Sequence, residues 1–151
     1  MKSARHLLIG AWKSHRTRTL RTYAKYQRAD SATRRRLATI FGRLRLRYTR
    51  RYIHGELRGS KWRCRYEILG EDADSIVIRI SDSTLRDQID PILLDCVEGL
   101  FAPRLQHIQF RTIRGREYYW IGLGGLCEWF KRVYCCGAQR SQQLHPLLLA
   151  P

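Results

Sequence analysis

At 151 residues the chain fits one domain with a core of its own, and 44% hydrophobic with 11% aromatic residues exclude an intrinsically disordered polymer. The formal net charge is +16, and the excess sits in residues 1–63, with 19 Lys/Arg against 2 acids (Asp30, Glu56), while residues 64–151 hold 10 basic and 11 acidic residues. Arginine supplies 24 of the 29 cations, which either forms a solvated face or attracts polyanions: nucleic acid, anionic lipid heads or acidic proteins.

The stretch LLIGAWK (residues 7–13) reads as a short strand. Ser14 is placed to cap a helix over 15–28, where Leu20, Tyr23 and Ala24 recur at i, i+3, i+4. Asp30 and Ser31 offer a second cap, and a helix follows with Leu37, Ile40 and Phe41 on one side until Gly42 ends it. A helical pair therefore separates the first strand from the second.

From Gly42 the period changes to two. Leu44, Leu46 and Tyr48 alternate with Arg43, Arg45 and Arg47, the pattern of a half-buried strand. RYIHGELRG continues as a strand; then Trp62, Cys64, Tyr66 and Ile68 alternate with Lys61, Arg63, Arg65 and Glu67. Ile76, Ile78 and Ile80 share one face of the next strand, and turn signals fall at Gly59-Ser60 and in GEDAD. The meander pauses at an amphipathic helix near 90–101, with Asp90 as cap, Pro91 at the first helical position and Pro103 closing it. RLQHIQFRT, REYYWIGL and CEWFKRVY supply three more strands, joined at Arg114-Gly115 and Gly124-Gly125. Residues 135–151 have no period and read as a loose tail after a 1–134 domain.

The expected fold is mainly β: an antiparallel meander of about eight strands that closes into a barrel. No stretch reaches the ~20 apolar residues of a membrane-spanning helix, and the apolar part of MKSARHLLIGAW is too short for a signal-peptide core. Five cysteines without a CxxC fit a reduced, cytoplasmic protein, and Cys127, Cys135, Cys136 and His145 match no usual zinc spacing. Neither a nucleophile elbow nor an HExxH or phosphate-cradling glycine loop is present, so no catalytic residues and no cofactor are expected. His54 and His107 sit within strands and read as structural, and EDAD (71–74) lacks the glycine and final glutamate of a calcium loop.

The combination of IGAWKS with FGRLRLRYT, QHIQF, YYWIGLG and EWFKRV resembles the calycin group, lipocalins and intracellular fatty-acid-binding proteins. It looks closer still to small bacterial lipocalin-like proteins of unknown role, over roughly residues 7–134. The lipocalin side of the resemblance implies that Trp12 of Gly10-x-Trp12 closes the barrel floor with Arg132 stacked on it. The fatty-acid-binding side implies instead that Arg132 and Tyr134 grip a ligand carboxylate. One side chain cannot do both, and alternation leaves open whether Arg132 or Lys131 turns inward. The chain departs from the pattern by having fewer strands than the fatty-acid-binding branch and by the inserted helix near 90–101.

Two functions follow, the first preferred and the second its alternative. In the first, the protein is a binding module that holds a small apolar or amphipathic anion in the barrel, with Trp12, Trp120, Phe130, Arg132 and Tyr134 as the binding residues. These aromatics equally fit plain core packing. In the second, the outer surface binds nucleic acid through Arg43, Arg45, Arg47, Arg50 and Arg51, residues that also fit a wet face or a protected edge.

Overall fold

A computed structural model describes residues 3–81, 105–123 and 126–134. Strands form where charged and apolar residues alternate: β1 (Gly10–Ser14), β2 (Arg45–Tyr48), β3 (Tyr52–Leu57), β4 (Ser60–Glu71), β5 (Ser75–Ser81), β6 (Leu105–Ile113), β7 (Arg116–Leu123) and β8 (Leu126–Val133). Each pairs antiparallel with the next, and β1 also pairs with β8. The mainly β meander therefore closes as an eight-stranded barrel without a free edge.

The helices depart from the sequence expectation in three places. The 7–13 stretch is not all strand: α1 (Ala4–Leu8) precedes β1. Ala4 and Leu8 stand one turn apart and are fully buried against the barrel core, a repeat too short for periodicity to reveal. The helix expected over 15–28 is two, α2 (Arg16–Thr22) and α3 (Ala24–Arg28), because Tyr23 takes an extended conformation between them. His15, not Ser14, caps α2, its ring nitrogen accepting from the Arg18 N–H at 3.3 Å. Asp30 caps α4 (Ser31–Ile40) as expected, accepting from the Thr33 N–H at 2.7 Å.

Two-residue turns join β3 to β4 and β6 to β7. Arg58 and Gly59 have φ of 50° and 86°, Arg114 and Gly115 49° and 72°, the doubly positive pattern of hairpin turns that follow strand twist. The first turn lies one residue before the expected Gly59-Ser60, since Leu57 pairs with Ser60. Inside, one register row runs Arg132, Trp12, Leu46, Gly55, Trp62 across five strands. Gly55 is the flat place in that row: the Trp62 ring lies where any β-carbon would go.

The expected helix near 90–101, the Gly124-Gly125 turn and the 135–151 tail, with Cys96, Cys135, Cys136 and His145, lie outside the described residues. Among the described residues no helix is long and apolar enough to cross a membrane.

Candidate functional site

Cross-strand pairing decides between Lys131 and Arg132. Trp12 lies opposite Arg132 on the inner face, and Lys13 lies opposite Lys131 on the outer one. The Arg132 guanidinium carbon stands 4.3 Å from the centroid of the Trp12 ring. The same guanidinium donates to the Ile9 carbonyl at 2.9 Å and to the Leu7 carbonyl, and it pairs with the Glu117 carboxylate. It thereby ties the end of α1 to the last strand. Trp12 adds a bond from its indole N–H to the Leu8 carbonyl at 2.9 Å. A β-carbon on Gly10 would sit 2.5 Å from Arg132 Nη1. Gly10-x-Trp12 is thus a space requirement: glycine admits the guanidinium and tryptophan supplies the face under it.

Trp12 and Phe130 belong to a filled interior. Tyr119 packs against both, with ring centroids 4.7 Å from each, and its hydroxyl meets that of Tyr48 at 3.2 Å. Trp12, Tyr119 and Phe130 are at most 1% exposed, although Trp12 and Trp62 edge a hollow of about 490 Å³ bordered by Lys13, Arg45 and Lys61. Burial pushes the Tyr48 and Tyr119 hydroxyls above the ordinary tyrosine range. Trp120 points the other way, to the outer face, with its ring 6.2 Å from that of Trp129. Tyr134 is half exposed beyond β8 and its hydroxyl donates to Glu117 at 3.2 Å.

A buried acid joins this interior that the sequence did not single out. Glu128 is 1% exposed and accepts from the Ser14 hydroxyl at 2.7 Å. Ser14 Oγ in turn accepts from the Gly42 N–H at 3.0 Å, linking β1, β8 and the approach to β2. The second carboxylate oxygen of Glu128 has no hydrogen-bond partner among the described residues. Burial raises the Glu128 pKa to about 7, with the Ser14 hydrogen bond opposing.

The outer face of the same strands is cationic. One register row runs Arg111, Tyr118, Lys131, Lys13, Arg45, Glu56, Lys61 from β6 round to β4. At Tyr118 the row is covered by Arg18 of α2, whose guanidinium lies 4.7 Å from the ring centroid, so positive charge continues over it. The next row places Arg47, His54 and Arg63 side by side on β2, β3 and β4. Burial, then the charges of Arg47 and Arg63, hold the His54 pKa below its usual value. Among the described residues Lys13, Arg45, Arg47, Lys61 and Lys131 form no ion pair.

The five arginines expected to act together divide. Arg45 and Arg47 stand on β2 within the rows, and Arg43 is exposed just before it. Arg50 and Arg51 form the turn beyond β2 and line a separate groove with Arg5, Arg65 and Arg79. The remaining row members, Lys13, Lys61, Arg111 and Lys131, escaped the sequence reading because register between distant strands places them there. Comparisons with protein-family models, with curated proteins and with solved structures find no match.

Proposed function

We propose that the chain is a non-catalytic nucleic-acid-binding barrel whose cationic outer face receives the phosphate backbone. The observation that carries this reading is the direct opposition of Lys131, Lys13 and Arg45 on three adjacent strands. Like charges placed opposite each other across strands cost roughly 0.2–1 kcal/mol per pair. Within the described residues only Glu56, opposite Arg45, offsets that row. Strands ~4.8 Å apart and a same-face repeat of ~6.6–7 Å along each strand spread these cations as a lattice that can follow a chain of phosphates. The reduced, cytoplasmic setting expected from the cysteines goes with the same reading.

A closed β-barrel is compatible with ligand binding, and an amphipathic anion inside it is the other reading of this fold. Its support is the family resemblance. Against it stand the full burial of Trp12 and Phe130 and the commitment of Arg132 to Leu7, Ile9 and Glu117. An arginine already forked onto two carbonyls and a carboxylate has little left to offer a ligand carboxylate.

Titration of labelled single-stranded and duplex oligonucleotides at increasing salt tests the proposal. Affinity should fall log-linearly with salt, and Lys13→Ala with Arg45→Ala and Lys131→Ala should flatten the slope by about 2–3. A salt-independent affinity, or an unchanged slope in the triple variant, would overturn it.

A further inference from the structure

A second cationic surface differs from the belt in shape. Beside α1, a half-open groove of about 1070 Å³ lies between that helix, the turn after β2, the middle of β4 and the end of β5. Arg5, Arg50, Arg51, Arg65 and Arg79 line it together with Glu67. Glu67 is already bound to Arg79, at 2.8 Å. Arg5, Arg50, Arg51 and Arg65 form no ion pair among the described residues. Glu71, at the end of β4, accepts from the Arg5 backbone N–H at 3.2 Å, which anchors α1 to that strand.

The turn that presents Arg50 and Arg51 is built for rigidity. The Thr49 N–H donates to the Tyr52 carbonyl at 2.9 Å, and the Tyr52 N–H donates to Thr49 Oγ1 at 3.2 Å. From beneath, the Tyr66 hydroxyl donates to the Thr49 carbonyl at 2.5 Å and the Tyr66 N–H to the Arg51 carbonyl at 2.9 Å. The backbone carrying both arginines is therefore fixed from within the turn and from the neighbouring strand. The turn contains none of the glycine, proline, asparagine or aspartate that usually make turns. Of the other hairpin turns among the described residues, Arg58-Gly59 and Arg114-Gly115 each use a glycine and Asp72-Ala73-Asp74 uses aspartates. Nothing in the backbone thus asks for two arginines at 50 and 51, and both are exposed.

We infer that this groove is a separate binding site for a compact, multiply charged phosphate compound. The belt cations stand one per strand in a row around the barrel, where a polymer can pass from cation to cation, and Lys13, Arg45, Arg47 and Lys61 border a smaller hollow of about 490 Å³. The groove is larger, of the size of a small-molecule site, and five arginines from α1, the turn and two strands line that one volume. Guanidinium forks suit phosphate oxygens two at a time, so several of them around one volume select a ligand with many phosphate oxygens over a single small anion. Holding the turn in place beforehand spares the bound state part of the ordering cost that loose arginines would carry.

Calorimetric titration of the full chain with sodium tripolyphosphate, at fixed ionic strength and with sulfate as the control, reads the site directly. Tripolyphosphate should bind and sulfate should not compete at equal concentration. Arg50→Ala with Arg51→Ala should weaken tripolyphosphate about tenfold or more, while Lys13→Ala with Arg45→Ala should change it by less than about twofold. Tyr66→Phe, which keeps every arginine but removes the clamp on Thr49, should weaken it several-fold; thermal melting of each variant confirms that it is folded. The inference falls if sulfate competes equally or if belt and groove variants lose tripolyphosphate alike, because diffuse charge then explains the binding. Oligonucleotide titration of the same variants keeps this outcome apart from the fate of the belt: the groove variant should retain most oligonucleotide affinity.

Discussion

Lys131 and Arg132 are neighbours in the chain and live under different physics. Arg132 points into the barrel, where its guanidinium meets an indole face, two carbonyls and a carboxylate. Lys131 points outward, opposite Lys13, with no ion pair among the described residues. A charge taken from water must be satisfied locally or it unfolds the protein, so the inner cation is a structural part. The outer cations have no such obligation, and water screens their mutual repulsion only in part. Burial therefore separates the charges that hold the barrel from those free to meet an anion.

The largest test of that division is Arg132→Ala. It removes the stack on Trp12, both ties to α1 and the partner of Glu117, and should lower unfolding stability by about 4 kcal/mol in urea titration. Arg132→Lys keeps the charge but not the fork and should recover only part of the loss. A loss below about 1 kcal/mol would mean that the inner arginine is no more structural than an outer one, and the comparison would break.

Glu128 gives the next effect, read along pH. Its folded pKa of about 7 lies above the model-peptide value of 4.5. The native state then holds the proton more tightly than the unfolded chain. This contribution is complete below about pH 4.5 and is lost as pH rises to about 7, roughly 3 kcal/mol in all. Glu128→Gln keeps the shape and cannot ionise, so its stability should vary less between pH 5 and pH 8 than that of the parent. Equal pH profiles would show that Glu128 stays ionised, or finds a partner, inside the barrel.

These two side chains also mark how far the sequence could be read. The strands were legible because Leu44 to Tyr48 and Trp62 to Ile68 alternate faithfully, and a one-residue slip would turn a whole apolar set to water. The cap at Asp30 was legible because capping is local. The five-residue α1 was hidden, since one apolar pair makes no period. Arg132 could be linked to Trp12 only through family resemblance, because alternation assigns neighbours to opposite faces without saying which face is inside. Glu128 reads like any surface acid until β1 and β8 are joined and Ser14 meets it. The outer row is a property of register alone: Lys131, Lys13 and Arg45 are far apart in sequence and become neighbours only when the barrel closes.

The smallest stability effect carries the sharpest reading of the outer face. Lys13→Glu puts a carboxylate between Lys131 and Arg45, turning two like-charge oppositions into two favourable ones. Stability should rise, by about 0.5–1 kcal/mol at low salt given the exposure of the site, and the gain should shrink as salt is added. Oligonucleotide affinity should move the other way, since the change removes one phosphate contact and adds a repulsion, lowering the salt slope by about 2. Opposite signs are what a surface kept cationic for a partner must give: the charge that costs the free protein is the charge that holds the anion. If the same variant is more stable and binds as before, the row is a solvated face and the nucleic-acid reading loses its basis. If it is less stable, Lys13 has a structural partner, and the line drawn here between inner and outer cations is in the wrong place.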